Sequence, residues 1–223
     1  MGGAVGKNKK KPSRKKASAP RRVRLTVDDR RAQLIALGLE AFARAPYEAV
    51  SVEDIAAQAG ISRGLLFHYF PSKRDFYIAV VQVMAAQMLE ATFVAEPAGQ
   101  SPEQLLQLLV QGLDNYFVYI EGHADAFAML LRAGGETGSE AVVEETRKEF
   151  VRRMRSYLPQ AVGVDEALLR ASLTAWERFV EGIALDWVEH RDLPRSERVQ
   201  LAVRAAFMFQ GAAGMPAVGF SFA

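Results

Sequence analysis

Between Ser51 and Lys73 the chain reads SVEDIAAQAGISRGLLFHYFPSK, a segment punctuated so densely that only short helices fit between its stops. Ser51 offers an N-cap, with Asp54 at the capping-box offset and Val52, Ile55 and Ala56 as the buried face behind it. Gly60 supplies a C-terminal stop and Ser62 a second cap; Pro71 with Ser72 then breaks the run before a longer helix from about residue 73 to 94. A helix of two turns is marginal in water by itself. The spacing therefore predicts two short helices held by neighbours and joined through the AGIS turn at 59–62, a helix-turn-helix arrangement.

The periodicity around this segment is helical throughout. Leu34, Leu37 or Gly38, and Phe42 mark a first helix that opens near Asp28 and Asp29, whose charges suit its positive end, and stops at Pro46. EPAGQSP at 96–102 reads as a linker, and helices follow near 103–121, 124–133, 140–157, 165–190 and 196–209. Strand-like alternation is absent. The expected class is all-α: an N-terminal three-helix helix-turn-helix unit and a larger C-terminal helical region. GGETGSE at 134–140 lacks the Gly-Lys-Ser/Thr ending of a phosphate loop, and Thr137 with Glu140 reads as a capping box.

At about 100° per residue, Leu66 and Phe70 share the inward face of the second short helix. Gly64, Leu65 and His68 cluster opposite, flanked by Tyr69. A glycine inside a helix costs roughly 0.5 to 1 kcal/mol relative to alanine, so something should compensate at Gly64. Close approach of a DNA backbone or base edge does so. Arg63 suits a bidentate contact with guanine, Leu65 a thymine methyl, and His68 a donor or acceptor role. Ser51 and Ser62 at helix starts, the Tyr69 hydroxyl and the Lys73 charge suit phosphate contacts that fix register. Taken singly, each of these residues also fits a solvated or packed position on a helical subdomain.

Residues 31–81 together resemble the N-terminal DNA-binding domain of TetR-family transcriptional regulators. The resemblance rests on Ile55-Ala56, Ala59-Gly60-Ile61-Ser62, Gly64, the aromatic run ending in Phe70, and Pro71-Ser72-Lys73. It implies DNA contacts at Ser51, Arg63, Gly64, Leu65, His68, Tyr69 and Lys73. Phe67 stands where that family usually has Tyr, which removes a phosphate-binding hydroxyl; Pro46 replaces a common Gly and Phe76 a common Leu.

Ten of the 28 basic residues lie in 1–24, where there is no acid, so the remainder carries 18 basic against 26 acidic residues. The basic character belongs to this tail, and residues 25–80 are near neutral with six basic and seven acidic residues. A tail of Lys, Arg, Ser, Pro, Gly and Ala is expected to be disordered. It is suited to lie along phosphates or enter a minor groove, although many such runs are solvated extensions. The expected organisation is a tail at 1–24, a DNA-binding unit at 25–80 and an effector-binding and dimerisation unit at 81–223.

For the C-terminal unit the resemblance implies a homodimer and a small apolar effector. Trp176, Phe179, Val180, Ile183 and Trp187 form a stripe that is core or dimer seam, and Val199, Val203, Ala206 and Phe209 form a partner stripe, together fitting a four-helix bundle with a symmetry mate. Such a dimer places two reading helices on a pseudo-palindromic double-stranded operator. Effector candidates are Tyr116, Phe117, Tyr119, Phe127, Met129, Phe150, Met154 and Trp176, with His123 and Arg132 as polar anchors, though such residues at helical spacing also build ordinary core.

The sequence points away from catalysis. Cys is absent, and His68, His123 and His190 fall in different helices without a metal-binding spacing, so no metal and no cofactor is expected. No apolar run follows the basic start and none spans about 18 residues, so a cytosolic protein without a membrane segment is expected. The expected function is a sequence-specific transcriptional repressor released by a small molecule. The rival is an architectural DNA binder with little sequence preference and no effector.

Overall fold

The computed structural model describes residues 2, 25–94, 101–132, 138–158 and 164–214. Among these residues the regular elements are helical: α1 (Val27–Arg44), a 3-10 turn (Tyr47–Ala49), α2 (Val52–Gln58), α3 (Arg63–Tyr69), α4 (Lys73–Ala91), α5 (Pro102–Gly122), α6 (Ala124–Arg132), α7 (Glu140–Tyr157), α8 (Glu166–His190) and α9 (Arg195–Ala212). The expectations for the tail at 1–24, for the linker over 96–100 and for the ending at 215–223 lie outside the described residues.

Short polar side chains start most of these helices. The hydroxyls of Ser51, Ser62 and Ser72 accept from the backbone N–H of Asp54, Leu65 and Asp75 at 3.1, 3.2 and 3.1 Å. Each such cap contributes about 1 kcal/mol. α1 starts from a reciprocal capping box between Thr26 and Asp29, the second residue of the acidic pair that marks it in the sequence. Gly60, at φ +68°, closes α2: Gly60 N–H bonds Ala57 O and Ile61 N–H bonds Ala56 O, both at 3.0 Å. This is the paired closure that a left-handed residue after a helix makes possible.

Two expectations need correction here. α4 ends at Ala91 instead of continuing to 94. Glu140 is the first residue of α7, with Ser139 before it, so it cannot be the third-position partner of a capping box with Thr137, which itself lies outside the described residues.

Two apolar cores organise the chain. The first gathers Leu34, Phe42, Ile55, Leu66, Phe70 and Phe76 from α1 to α4 and extends to Ala126 of α6 and Val143 of α7. α1 and α4 cross closely at Gly38, where a Cβ would stand 2.6 Å from Phe76 Cζ and 2.7 Å from Val80 Cγ2. The room left by that glycine accommodates the Phe76 ring, which packs 4.8 Å from Phe70 and 5.9 Å from Phe42. The second core joins α5, α8 and α9 around Phe117, Ile120, Trp176, Val180 and Val203. α4 serves both, since Met84 belongs to the first while Met88 and Ala91 pack on the second. The division expected after residue 80 thus falls inside one helix.

The α9 stripe is reassigned. Val199 and Val203 are buried within the chain, and the Trp176 indole N–H donates to Ala202 O at 2.9 Å, so this face closes the intrachain core. α9 carries apolar groups on two sides, and its outer side shows Leu201 and Met208, the latter 66% exposed. On α8, Leu168 and Phe179 are exposed while Trp176, Val180 and Ile183 are buried. A buried arginine fastens the bundle: Arg198 stacks 4.9 Å from the Phe117 centroid and 4.4 Å from that of Trp187, and donates to Leu193 O and to Glu121.

Candidate nucleic-acid interface and interior cavity

The first core holds α3 by one side only. Leu66 and Phe70 are buried, while Arg63, Gly64, Leu65 and His68 are exposed and Tyr69 is half-buried, as the periodicity predicts. Leu65 stands 41% exposed, and its neighbour Gly64 costs the helix about 0.5 to 1 kcal/mol relative to alanine. Nothing inside the fold explains Gly64, because a Cβ there would meet no atom nearer than Ser62 Oγ at 4.0 Å.

Arg63 is oriented from two sides. Its Nη1 lies 2.9 Å from Glu53 Oε1 of α2, and its guanidinium sits 5.2 Å from the centroid of Phe67. Phe67 thus provides a platform for Arg63 at the position where a tyrosine hydroxyl is missing. Lys73 Nζ donates to Glu48 O at 3.1 Å and lies 4.8 Å from the Tyr47 centroid, which holds its charge at the start of α4. Ser51 and Ser62 use an acceptor lone pair in capping, leaving each hydroxyl hydrogen for an outside acceptor such as a phosphate. His68 packs edge-on against Tyr69 at 6.0 Å. Arg63, Gly64, Leu65 and His68 thus lie exposed on α3, while Ser51, Ser62 and Lys73 stand at the starts of α2, α3 and α4.

A cavity of about 280 Å³ opens among α5, α7, α8 and α9 and the chain just after α4. Its wall is largely apolar, with Leu105, Leu109, Met154, Leu173, Trp176 and Phe207 prominent. Two of its polar residues reach across to α4 and the chain just after it: Arg153 Nη1 donates to Leu89 O at 2.9 Å, and the Tyr157 hydroxyl to Val94 O at 3.3 Å. Arg153 Nε also donates to Glu149 at 2.8 Å.

Of the effector candidates, Trp176, Phe150 and Met154 line this cavity. Tyr116 and Phe127 line a smaller one of about 40 Å³. Burial pushes the Tyr116 hydroxyl well above its ordinary pKa, so it stays protonated. Tyr119 and His123 are corrected, since they belong to the lining of neither cavity. The Tyr119 hydroxyl, pushed up to about 12 by burial, donates to Met84 O at 3.1 Å and ties α5 to α4. His123 terminates α5 and stacks on the Tyr119 ring at 4.2 Å. Phe117 lies in the second core under Arg198. The side chains of Met129 and Arg132 lie outside the described residues.

Two family models match the chain, and between them they cover more than half of it. Residues 34–80 match the bacterial regulatory proteins of the tetR family, and residues 105–209 match the tetracyclin repressor-like C-terminal domain. The chain belongs to the TetR family.

Among solved structures, a TetR-family transcriptional regulator from Streptomyces coelicolor is 29% identical, with a TM-score of 0.69 over 84% of this chain and 82% of that one. The transcriptional activator FasR of Mycolicibacterium smegmatis is 29% identical over 107 residues, 48% of each chain. The transcriptional regulator BetI of Escherichia coli is 36% identical over 86 residues, 37% of this chain and 44% of that protein. The chain spans about half the length or less of these two curated relatives in the matched segments. Among the described residues of this TetR-family member, no helix is long and apolar enough to cross a membrane.

Several cavity residues escape a reading of the sequence alone. Leu105, Leu109, Leu169 and Leu173 look like any helical core stripe, and only the packing of α5, α7, α8 and α9 shows that they leave space between them. A detectable signal is the pair Phe207 and Phe209, which flank the Val199 and Val203 stripe of α9 on either side.

Proposed function

We propose that this chain is a sequence-specific DNA-binding transcriptional regulator that works as a homodimer in the cytoplasm and carries no catalytic activity. The observation that carries the reading is Gly64 beside exposed Leu65 on a two-turn helix, an arrangement with no internal packing reason and a direct use in a major groove. In this reading Arg63, Gly64, Leu65 and His68 face base edges, while Ser51, Ser62, Tyr69 and Lys73 hold phosphates. The basic segment 1–24 adds contacts along the backbone, supported by its ten basic residues beside a near-neutral neighbour.

The exposed strips of α8 (Leu168, Phe179) and α9 (Leu201, Met208) supply the dimer seam, packing against their copies in a four-helix bundle. The apolar cavity accepts a small effector. Its polar rim already grips the end of α4, whose other end carries Lys73, so a ligand that favours a different α4 position changes the spacing of the two heads. The free chain on its operator acts as a repressor, and release by such a ligand relieves the repression.

The test is competition binding with selected and random duplexes at matched salt. Arg63→Ala is expected to relax base preference at one position, by about 1 to 3 kcal/mol, and Lys73→Ala to weaken all sequences alike. Equal affinity of the parent protein for every duplex would instead favour an architectural DNA binder.

A further inference from the structure

The smaller cavity differs chemically from the larger one. It is walled by Met88 of α4, Tyr116 of α5, Phe127 of α6, Thr146, Arg147 and Phe150 of α7, and Glu177 and Glu181 of α8. Its acids and bases do not balance. Arg147 donates to both carboxylate oxygens of Glu181, with Nε at 2.8 Å, and Arg178 Nη2 donates to Glu144 at 2.9 Å. Glu177 is the third acid beside these two arginines. It is only 9% exposed, and its Oε2 is fully buried with no hydrogen-bond donor. Arg178 Nε stands 3.7 Å from that oxygen, an ion-pair distance too long for a hydrogen bond.

A buried carboxylate oxygen lacking a donor is costly, and a group that donates to it recovers much of that cost on binding. Burial, with Glu181 nearby, raises the Glu177 carboxyl to about 7, so it is divided between acid and carboxylate near neutrality. The charged and titratable groups around it are Glu144 and Arg147 from α7, Arg178 and Glu181 from α8, and Tyr116 from α5, whose buried hydroxyl stays neutral. α4 and α6 present only Met88 and Phe127. The volume of about 40 Å³ suits one small head group, a water share being roughly 30 Å³. Phe150 lines both cavities and stacks 6.4 Å from Trp176, so one aromatic ring stands between the acidic space and the apolar one.

We propose that Glu177 is a subsite for a protonated amine, whose N–H donates to the orphaned carboxylate oxygen while the apolar remainder of the same ligand fills the larger cavity. The inference rests on the reading of that larger cavity as an effector site. It assigns the ligand class as a primary amine or amidine on an apolar body. An apolar carboxylic acid is disfavoured because the acidic space would repel it. A quaternary ammonium would bring charge without the missing donor. The ligand enters the smaller space by displacing the Phe150 ring.

Calorimetric titration of the full chain with n-octylammonium, n-octanol and n-octanoate at pH 6 and pH 8 tests this. Octylammonium is expected to bind at least tenfold more tightly than the other two at pH 8. It keeps its own charge throughout this range, so its affinity should rise about tenfold from pH 6 to 8 as Glu177 ionises. Glu177→Gln should remove both the amine preference and the pH dependence while leaving octanol binding within twofold, which shows the cavity intact. Phe150→Ala should strengthen amine binding by joining the two spaces. An amine preference that survives Glu177→Gln, or octanol binding as tightly as the amine in the parent protein, overturns the subsite alone. Failure of all three probes to bind overturns the effector-cavity reading as well.

Discussion

Arg63 of α3 is salt-bridged to Glu53 of α2 at 2.9 Å, an ion pair that links the two short helices across their turn. Both side chains are more than half exposed, so the pair contributes at most about 1 kcal/mol to folding. Its consequence is orientation. Glu53 holds the guanidinium over the outer face of α3, and its own charge opposes the close approach of phosphates.

Glu53→Gln therefore separates affinity from selectivity. The variant is expected to bind all duplexes several-fold more tightly at low salt, because one repulsive charge is gone, and to discriminate less well because Arg63 is less restrained. Competition binding at two salt concentrations checks it, with thermal melting expected to move by no more than about 4 °C.

Gly64→Ala gives opposite effects on stability and binding. With no atom of the fold nearer than 4.0 Å to the new methyl group, the helix gains about 0.5 to 1 kcal/mol, visible as a higher denaturant midpoint. DNA affinity is expected to fall at least tenfold, since the methyl group occupies the space where the duplex comes closest. A variant that is both less stable and fully active in binding would show that Gly64 serves the fold.

The exposed apolar strips on α8 and α9 make a prediction about assembly. Phe179→Glu combined with Met208→Glu should yield a folded monomer by sedimentation, because both side chains are already exposed within the protomer. Operator affinity should drop steeply, as one head loses the binding contribution of the other. Val203→Glu is the contrasting variant: it places a charge in the intrachain core and should unfold the protein.

Glu177 sets a pH signature. Its carboxyl is raised from 4.5 to about 7 in the folded protein by burial, so the folded state binds a proton that the unfolded state has released between these values. Folding stability attributable to this group is intact below about pH 4.5, declines as pH rises, and is fully lost above about 7. Glu177→Gln should match the parent at pH 4.5 and exceed it by about 1 to 3 kcal/mol at pH 8, read from denaturant unfolding at each pH. A constant difference across that range would refute the assignment.

Local order was legible before any coordinates. Ser51, Ser62, Gly60 and Pro71 act within a few residues of themselves, through caps, a left-handed closure and a missing N–H, so α2 and α3 could be placed to within a residue or so. The outward set on α3 followed from helical geometry alone. α9 behaves differently: it is apolar on two sides, its periodicity does not say which side meets α8 and which meets solvent, and only the packing puts Val199 and Val203 inside. Aromatic content likewise does not distinguish a wall from a strut, as the Tyr119 hydroxyl on Met84 O and the His123 stack show.

What the sequence determined by itself is therefore a set of helices, their ends, and one polar face on a short helix. Only the tertiary structure decided where helices leave space between them, which arginine pairs with which acid, and that Glu177 is the carboxylate left over. The reason is range: caps and turns are settled by neighbours in the chain, whereas cavities and buried charge depend on residues tens of positions apart, such as Arg147 and Glu181, brought together by packing.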